Sequence, residues 1–284
     1  MTESVNPSVG GELHTVPGRP PTEQPRLLMR AINKSFGAVR ALTDVDFEVY
    51  DGEVVGLVGD NGAGKSTLIK TIAGVGPADD GEVFVGGQSV KITSPQVATR
   101  YGIETVYQDL ALCDNLDVVN NLFLGREQYT PYGILSEIEM ERQGLNVLRT
   151  LDVKIPSIRA TVAALSGGQR QSIAVAKTIL RNAKLILLDE PTAALGVAQT
   201  KQVLNLILRL RQQGLAVVVI SHNLADVFEV VDRVVVMRLG RRVATFNVKT
   251  TTPEKVVAAI TGAEFGELMQ TNTTTTANGA EGVK

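Results

Sequence analysis

Glu53-Val54-Val55-Gly56-Leu57-Val58-Gly59-Asp60-Asn61-Gly62-Ala63-Gly64-Lys65-Ser66-Thr67 is the stretch on which the reading of the whole chain turns. An apolar run of strand length stops at Val58, a loop with glycine at 59, 62 and 64 follows, and Lys65 opens a helical segment that runs to about Ala73 and closes at Gly74. Strand, glycine-rich loop and helix in that order let backbone N–H groups turn inward onto phosphate oxygens at the positive end of a helix dipole. The nine residues Gly59 to Thr67 are therefore candidate phosphate ligands. In this pattern the Lys65 ammonium reaches the β- and γ-phosphates and the Ser66 hydroxyl ligates Mg²⁺.

A nucleotide site needs carboxylates as well, and Leu185-Ile186-Leu187-Leu188-Asp189-Glu190 supplies two at the C-terminal end of a buried strand, where parallel sheets hold their ligands. Asp189 is placed to hold Mg²⁺, directly or through water. Glu190, one residue on, points elsewhere and is placed to polarise a water attacking the γ-phosphate.

Outward from these two motifs, strand signals precede the loop at Leu27–Asn33 and Val45–Tyr50, with an Asp51-Gly52 turn before Glu53–Val58, so the opening reads as a β-rich lobe. Glu82–Val85 and Ile103–Tyr107 read as further strands, and Ser94-Pro95 as an N-cap with proline at the first helical position. From about 116 to 182 the spacing of Ile138, Leu145, Leu148 and Leu151 is helical, which reads as an inserted helical subdomain. Strands at Leu185–Leu188, Ala216–Ile220 and Val234–Arg238 then alternate with helices over Val197–Gln212 and from Asn223, the pattern of a mostly parallel sheet covered by helices. The fold class expected is α/β: a P-loop NTPase core, an N-terminal antiparallel β lobe and an inserted helical subdomain. The first 25 residues, with five prolines among Gly, Ser and Thr, read as a disordered leader; 266–284, with the run Thr273 to Thr276, reads as a disordered tail. One ordered domain over 26–265 lies between them.

Composition narrows the classes. With 28 basic against 30 acidic side chains, a net charge of −2, no nucleic-acid partner is expected. The single cysteine, Cys113, rules out an intramolecular disulfide and fits a reducing compartment. No window approaches the roughly 20 apolar residues of a membrane span, so any work at a membrane requires another chain to cross it.

Leu165-Ser166-Gly167-Gly168-Gln169-Arg170-Gln171 reads locally as a capped helix start, with Ser166 as N-cap and Ile173, Ala176, Ile179 and Leu180 as the buried face. The same string resembles the signature motif of ABC-type ATPases, and Ser166 precedes Asp189 by 23 positions (189 − 166), as that family requires. The resemblance extends over about 26–265. It implies a Q-loop role for Gln108, which senses Mg²⁺ and the attacking water, a γ-phosphate switch role for His222, and an adenine-stacking role for Phe36, where tyrosine is more usual. It further implies that two cassettes close face to face, each ATP held between the phosphate loop of one and Ser166–Gln169 of the other. A second cassette, most simply a homodimer, and integral membrane permease subunits are the partners implied, with the chain peripheral on the cytoplasmic face of the cell membrane.

Glu190-Pro191-Thr192-Ala193-Ala194-Leu195-Gly196-Val197 and Val106–Leu116, with Phe123-Leu124-Gly125-Arg126-Glu127, resemble the ATPases of simple-sugar importers, the ribose, xylose and fructose group, in a single-cassette form. That implies ATP hydrolysis coupled to monosaccharide uptake and, indirectly, an extracytoplasmic sugar-binding protein. Gly196 departs from the family, which usually carries an Asp there linking the two facing sites. The alternatives are an ABC ATPase for another substrate and a soluble, non-transport ABC-type ATPase. The latter normally shows paired cassettes, a coiled-coil insertion or a basic surface.

Overall fold

The computed structural model describes residues 24–263. The expected leader, apart from its last two residues, and the expected tail lie outside that range. Two sheets carry the fold. The first is antiparallel, order β2-β1-β4-β5, from β1 (Leu27–Phe36), β2 (Val39–Val49), β4 (Asp80–Val85) and β5 (Gln88–Val90). The second has six strands in the order β10-β9-β3-β8-β7-β6, from β3 (Val54–Gly59), β6 (Ile103–Val106), β7 (Leu185–Asp189), β8 (Ala216–Ile220), β9 (Arg233–Arg238) and β10 (Arg241–Asn247). All its pairings are parallel except the β9–β10 hairpin.

The strands of the second sheet are apolar at nearly every position because both faces are covered. Successive residues enter different cores. Leu185, Leu187, Val218 and Val235 face α1 (Lys65–Ile72) and the antiparallel sheet; Ile186, Leu188, Val219 and Val236 face the helices α5 (Gly167–Leu180) and α6 (Val197–Gln212). The remaining helices are α2 (Pro95–Arg100), α3 (Val118–Phe123), α4 (Glu137–Thr150), α7 (Leu224–Val230) and α8 (Pro253–Thr261). Between β6 and β7 the chain carries the helices α3, α4 and α5, joined by loops that hold a short 3₁₀ turn at Val162–Ala164 and two isolated bridges.

Four expectations need correction. Val54–Gly59 belongs to the parallel sheet, not to the β lobe: the Asp51-Gly52 turn passes the chain from one sheet to the other and closes no hairpin. The first two strands run on to a tight connection at Phe36/Val39, beyond where polar residues and register shifts hide them in the sequence. Strands β5 and β10 and helix α8 were not foreseen; β10 is half-buried after its exposed first residue, Arg241, and shows no clean alternation. Ile138 is 86% exposed, because it sits in the first turn of α4, ahead of the buried residues Met140, Gly144 and Leu148.

The two sheets are stapled by charge. Arg233, buried at the start of β9, donates from Nε to Glu53 Oε1 at 2.7 Å, from Nη1 to Glu48 Oε1 at 3.2 Å, and from Nη2 to the Glu48 carbonyl. Glu48 belongs to the antiparallel sheet, and Arg242 of β10 reaches its other oxygen at 3.4 Å. Removing one side of a buried ion pair strands the other, a loss of about 3–5 kcal/mol. Arg233→Met should therefore lower unfolding stability by an amount of that order in a urea titration; a loss below about 1 kcal/mol would show that the network does not join the sheets.

Candidate functional site

The C-terminal ends of β3, β7 and β8 bring together the phosphate loop, the two carboxylates and the histidine. The loop needs its glycines. Gly59 has φ +150° and a Cβ there would come within 2.2 Å of the Met237 carbonyl; Gly64, the N-cap of α1, has φ +102° and a Cβ would meet the Ala41 carbonyl at 2.8 Å. The backbone can thus lie against β9 and β2. Lys65 bends back over the loop, donating from Nζ to the carbonyls of Gly59 (2.7 Å) and Asp60 (2.9 Å). Burial pulls its ammonium below the ordinary lysine value, against the opposing charges of Glu190, Asp60 and Asp189.

Asp189 ends β7 beside Ile220 of β8. Burial first, then the neighbouring Glu190 charge, pushes its carboxyl above the usual range, while Lys70 and Lys65 pull the other way. Asp189, Ser66 and Gln108 offer a carboxylate, a hydroxyl and an amide oxygen, hard oxygen donors of the kind Mg²⁺ takes alongside phosphate oxygens, so their donor chemistry fits that ion.

Glu190 has φ +50°, a left-handed conformation uncommon for glutamate, which turns the chain out of the strand direction. Its amide donates to the Ile220 carbonyl at 2.9 Å, and its Oε2 lies 2.9 Å from His222 Nδ1. His222 follows β8 and is 77% exposed at its side chain. Gln108 stands exposed two residues past Val106, the last residue of β6, and Val106 pairs with Leu188 of β7, so Gln108 and Glu190 leave the same end of two adjacent parallel strands. Beside the pair opens a cleft of about 550 Å³ lined by Glu190, Leu195, Val197, His222, Asp226 and Glu229 among others.

Phe36, at the end of β1, is 56% exposed, and the Lys34 ammonium stands 5.6 Å from its ring centroid. The i, i+2 spacing that puts both on one face of the strand is visible in the sequence, yet Lys34 was not singled out.

Ser166–Gln169 sits elsewhere, at the start of α5. Ser166 Oγ accepts from the Gln169 amide at 3.3 Å and Gln169 Oε1 accepts from the Ser166 amide at 2.9 Å, a complete capping box. Gln169 Nε2 donates to the Lys154 carbonyl, so that side chain is committed to holding the helix start. The Gly167 and Gly168 amides keep no intrahelical partner, as at any helix N-terminus. This segment packs on α6 and the loop before it: Gly167 lies against Leu195, Gly168 against Gln199 and Gln202.

Two supporting residues were missed. Asn121, fully buried, accepts from the Cys113 amide at 2.7 Å and donates to the carbonyls of Cys113, Leu116 and Asp117, pinning the segment that leaves Gln108. Arg170 donates to the carbonyls of Ala163 and Leu165 and pairs with Asp114 at 3.4 Å, tying the same segment to α5. A buried asparagine inside an apolar helical run was the signal available.

Gly196 is the N-cap of α6, with φ −75° and ψ 163°, and a Cβ there would meet nothing within 4 Å. Neither backbone nor packing demands glycine.

The description "ABC transporter" fits residues 42–193. A fructose import ATP-binding protein of Rhizobium meliloti is 45% identical over 249 residues, 85% of this chain and 96% of that one. A xylose/arabinose import ATP-binding protein of Sulfolobus acidocaldarius is 43% identical over 242 residues, with the same two shares. Among solved structures, the ADP conformation of an ATP-binding cassette of an ABC transporter superposes with a TM-score of 0.72 at 26% identity, covering 87% of this chain and 98% of that one.

The vacant space at Gly196 makes a prediction. Aspartate is among the best N-cap residues and glycine is only slightly poorer, so Gly196→Asp should leave the melting temperature of the nucleotide-free protein unchanged or slightly raised. A fall of more than about 3 °C in a thermal scan would mean that the site is more crowded than its geometry indicates.

Proposed function

Because this chain belongs to the ABC transporter ATP-binding family, we propose that the site at the C-terminal end of its parallel sheet hydrolyses ATP to power uptake of a monosaccharide through partner permease subunits. The convergence of Lys65, Asp189, Glu190 and His222 at one end of the parallel sheet carries the catalytic part of this reading. The sugar-import names of its relatives support the transport part. No helix among the described residues is long and apolar enough to cross a membrane. The import-subunit names of the relatives support the reading that this chain works as a peripheral subunit on the membrane's inner face, with separate permease chains. An extracytoplasmic sugar-binding protein would deliver the substrate.

Phosphate oxygens take over the loop amides and the Lys65 ammonium, and Phe36 stacks on adenine. Ser66, Asp189 and Gln108 would hold Mg²⁺, which supplies charge neutralisation at the phosphates. Glu190 takes the proton of the attacking water. His222 Nδ1 faces Glu190, which leaves Nε2 as the ring nitrogen able to meet the γ-phosphate. The Gly167 and Gly168 amides serve the nucleotide of a second copy, because their own helix start packs on α6 and none of the hydrogen bonds of its cap reaches the phosphate loop.

Glu190→Gln should keep ATP binding within a few-fold while turnover falls about a hundredfold or more, the scale of a lost general base. Phosphate release near the wild-type rate would remove Glu190 from that role. In a mixed dimer, Ser166→Arg in one copy should cripple hydrolysis at the nucleotide held by the other copy's Lys65. Damage confined to the mutated copy's own phosphate loop would rule out the shared site.

A further inference from the structure

We propose that Asp226 is a positioning residue for hydrolysis: by accepting the Thr192 hydroxyl it clips the loop that carries Glu190 to the helix that follows His222. The proposal rests on the reading of Glu190 and His222 as the catalytic pair.

The connection from β7 to α6, Glu190 to Gly196, has two non-glycine residues in left-handed backbone, Glu190 at φ +50° and Ala194 at φ +59°. Such a path persists only where its surroundings over-determine it. Two hydrogen bonds shape it from within, Ala193 N–H to the Glu190 carbonyl (3.1 Å) and Leu195 N–H to the Thr192 carbonyl (3.3 Å), but neither fixes where the loop stands relative to β8 and α7.

Among the described residues, three polar contacts reach across to that side. The Glu190 amide to the Ile220 carbonyl extends the sheet and places only the first residue. The contact of Glu190 Oε2 with His222 Nδ1 belongs to the reacting pair and changes whenever either group turns to the nucleotide. Thr192 Oγ1 donates to Asp226 Oδ2 at 2.7 Å, partly buried. This last bond is independent of the chemistry. A hydroxyl donating to a carboxylate is among the stronger neutral-to-ionic bonds.

Asp226 is well placed to hold still. It lies in the first turn of α7, whose N-cap Asn223 accepts the Ala225 amide at 3.1 Å, while Ser221 Oγ accepts the Asn223 amide at 3.0 Å. His222 sits between these two caps. A shift of α7 therefore moves His222 and, through Asp226 and Thr192, the Glu190 loop together. The far end of the same loop lays Leu195 against Gly167 and ends at Gly196, which has no side chain with which to anchor it.

ATPase kinetics of the full chain test the clip. Thr192→Val and Asp226→Ala should each lower kcat roughly ten- to a hundredfold, the range expected when a catalytic group moves by up to about 1 Å. KM for ATP and the melting temperature should change little. Thr192→Ser, which keeps the hydroxyl, and Asp226→Asn, which keeps an acceptor oxygen, should retain most of the activity. The double variant Thr192→Val/Asp226→Ala should be no slower than the slower single one. Wild-type kcat in Thr192→Val, losses that multiply in the double variant, or losses that follow the melting temperature would each overturn the proposal. Glu190→Gln measured in parallel separates the two levels. Normal turnover in that variant removes the catalytic pair and the clip with it; lost turnover there with normal turnover in Thr192→Val removes the clip alone.

Discussion

β3 lies between β8 and β9 with both its faces buried, and the rest of the molecule is built around that placement. A parallel strand in the middle of a sheet has no freedom of register, because a slip by one residue would exchange the contents of the two cores. Fixing β3 fixes the height at which Gly59 leaves the sheet. The same register, carried through β8 and β7 to β6, sets the heights of His222, Glu190 and Gln108. Four loops from four strands meet at one end because their strands cannot slide.

Much of this was legible before any coordinates. Apolar runs of strand length ending in Gly59, Asp189 and the Ser221-His222 pair announce a parallel sheet and the end at which its chemistry sits. Val197–Gln212 stands as read, since it has an unbroken apolar stripe and Gly196 in front of it. What stayed hidden depends on partners distant in sequence. Val54–Gly59 looks like the third strand of a β lobe because the chain enters it through an Asp-Gly turn; only pairing to β8 and β9 assigns it to the other sheet. The thinly patterned β10 is held by its hairpin with β9, and Ile138 has helical spacing but nothing opposite it. Within the site, residue types in motifs were legible, whereas Thr192, Asp226 and Arg170 act through bonds between segments that no local pattern reveals.

The start of α5 shows one short segment meeting two demands. Ser166 and Gln169 satisfy each other's backbone amides, and the helix start they fix leaves the Gly167 and Gly168 N–H groups without intrahelical partners. Reading the motif as a cap and reading it as a ligand site are one description at two levels. The stability of the cap is what would keep the amides aimed.

Lys65 is held by two carbonyls of its own loop, so an arriving anion does not find a bare cation; it must first win the ammonium from those oxygens. The encounter is an exchange, and exchange favours ligands with many oxygens to offer. A lone orthophosphate displaces two good acceptors and replaces little more than it removes, whereas a polyphosphate also engages the amides along the loop. In the proposed ATP site the folded-back lysine thus favours ligands that offer many oxygens over a lone phosphate.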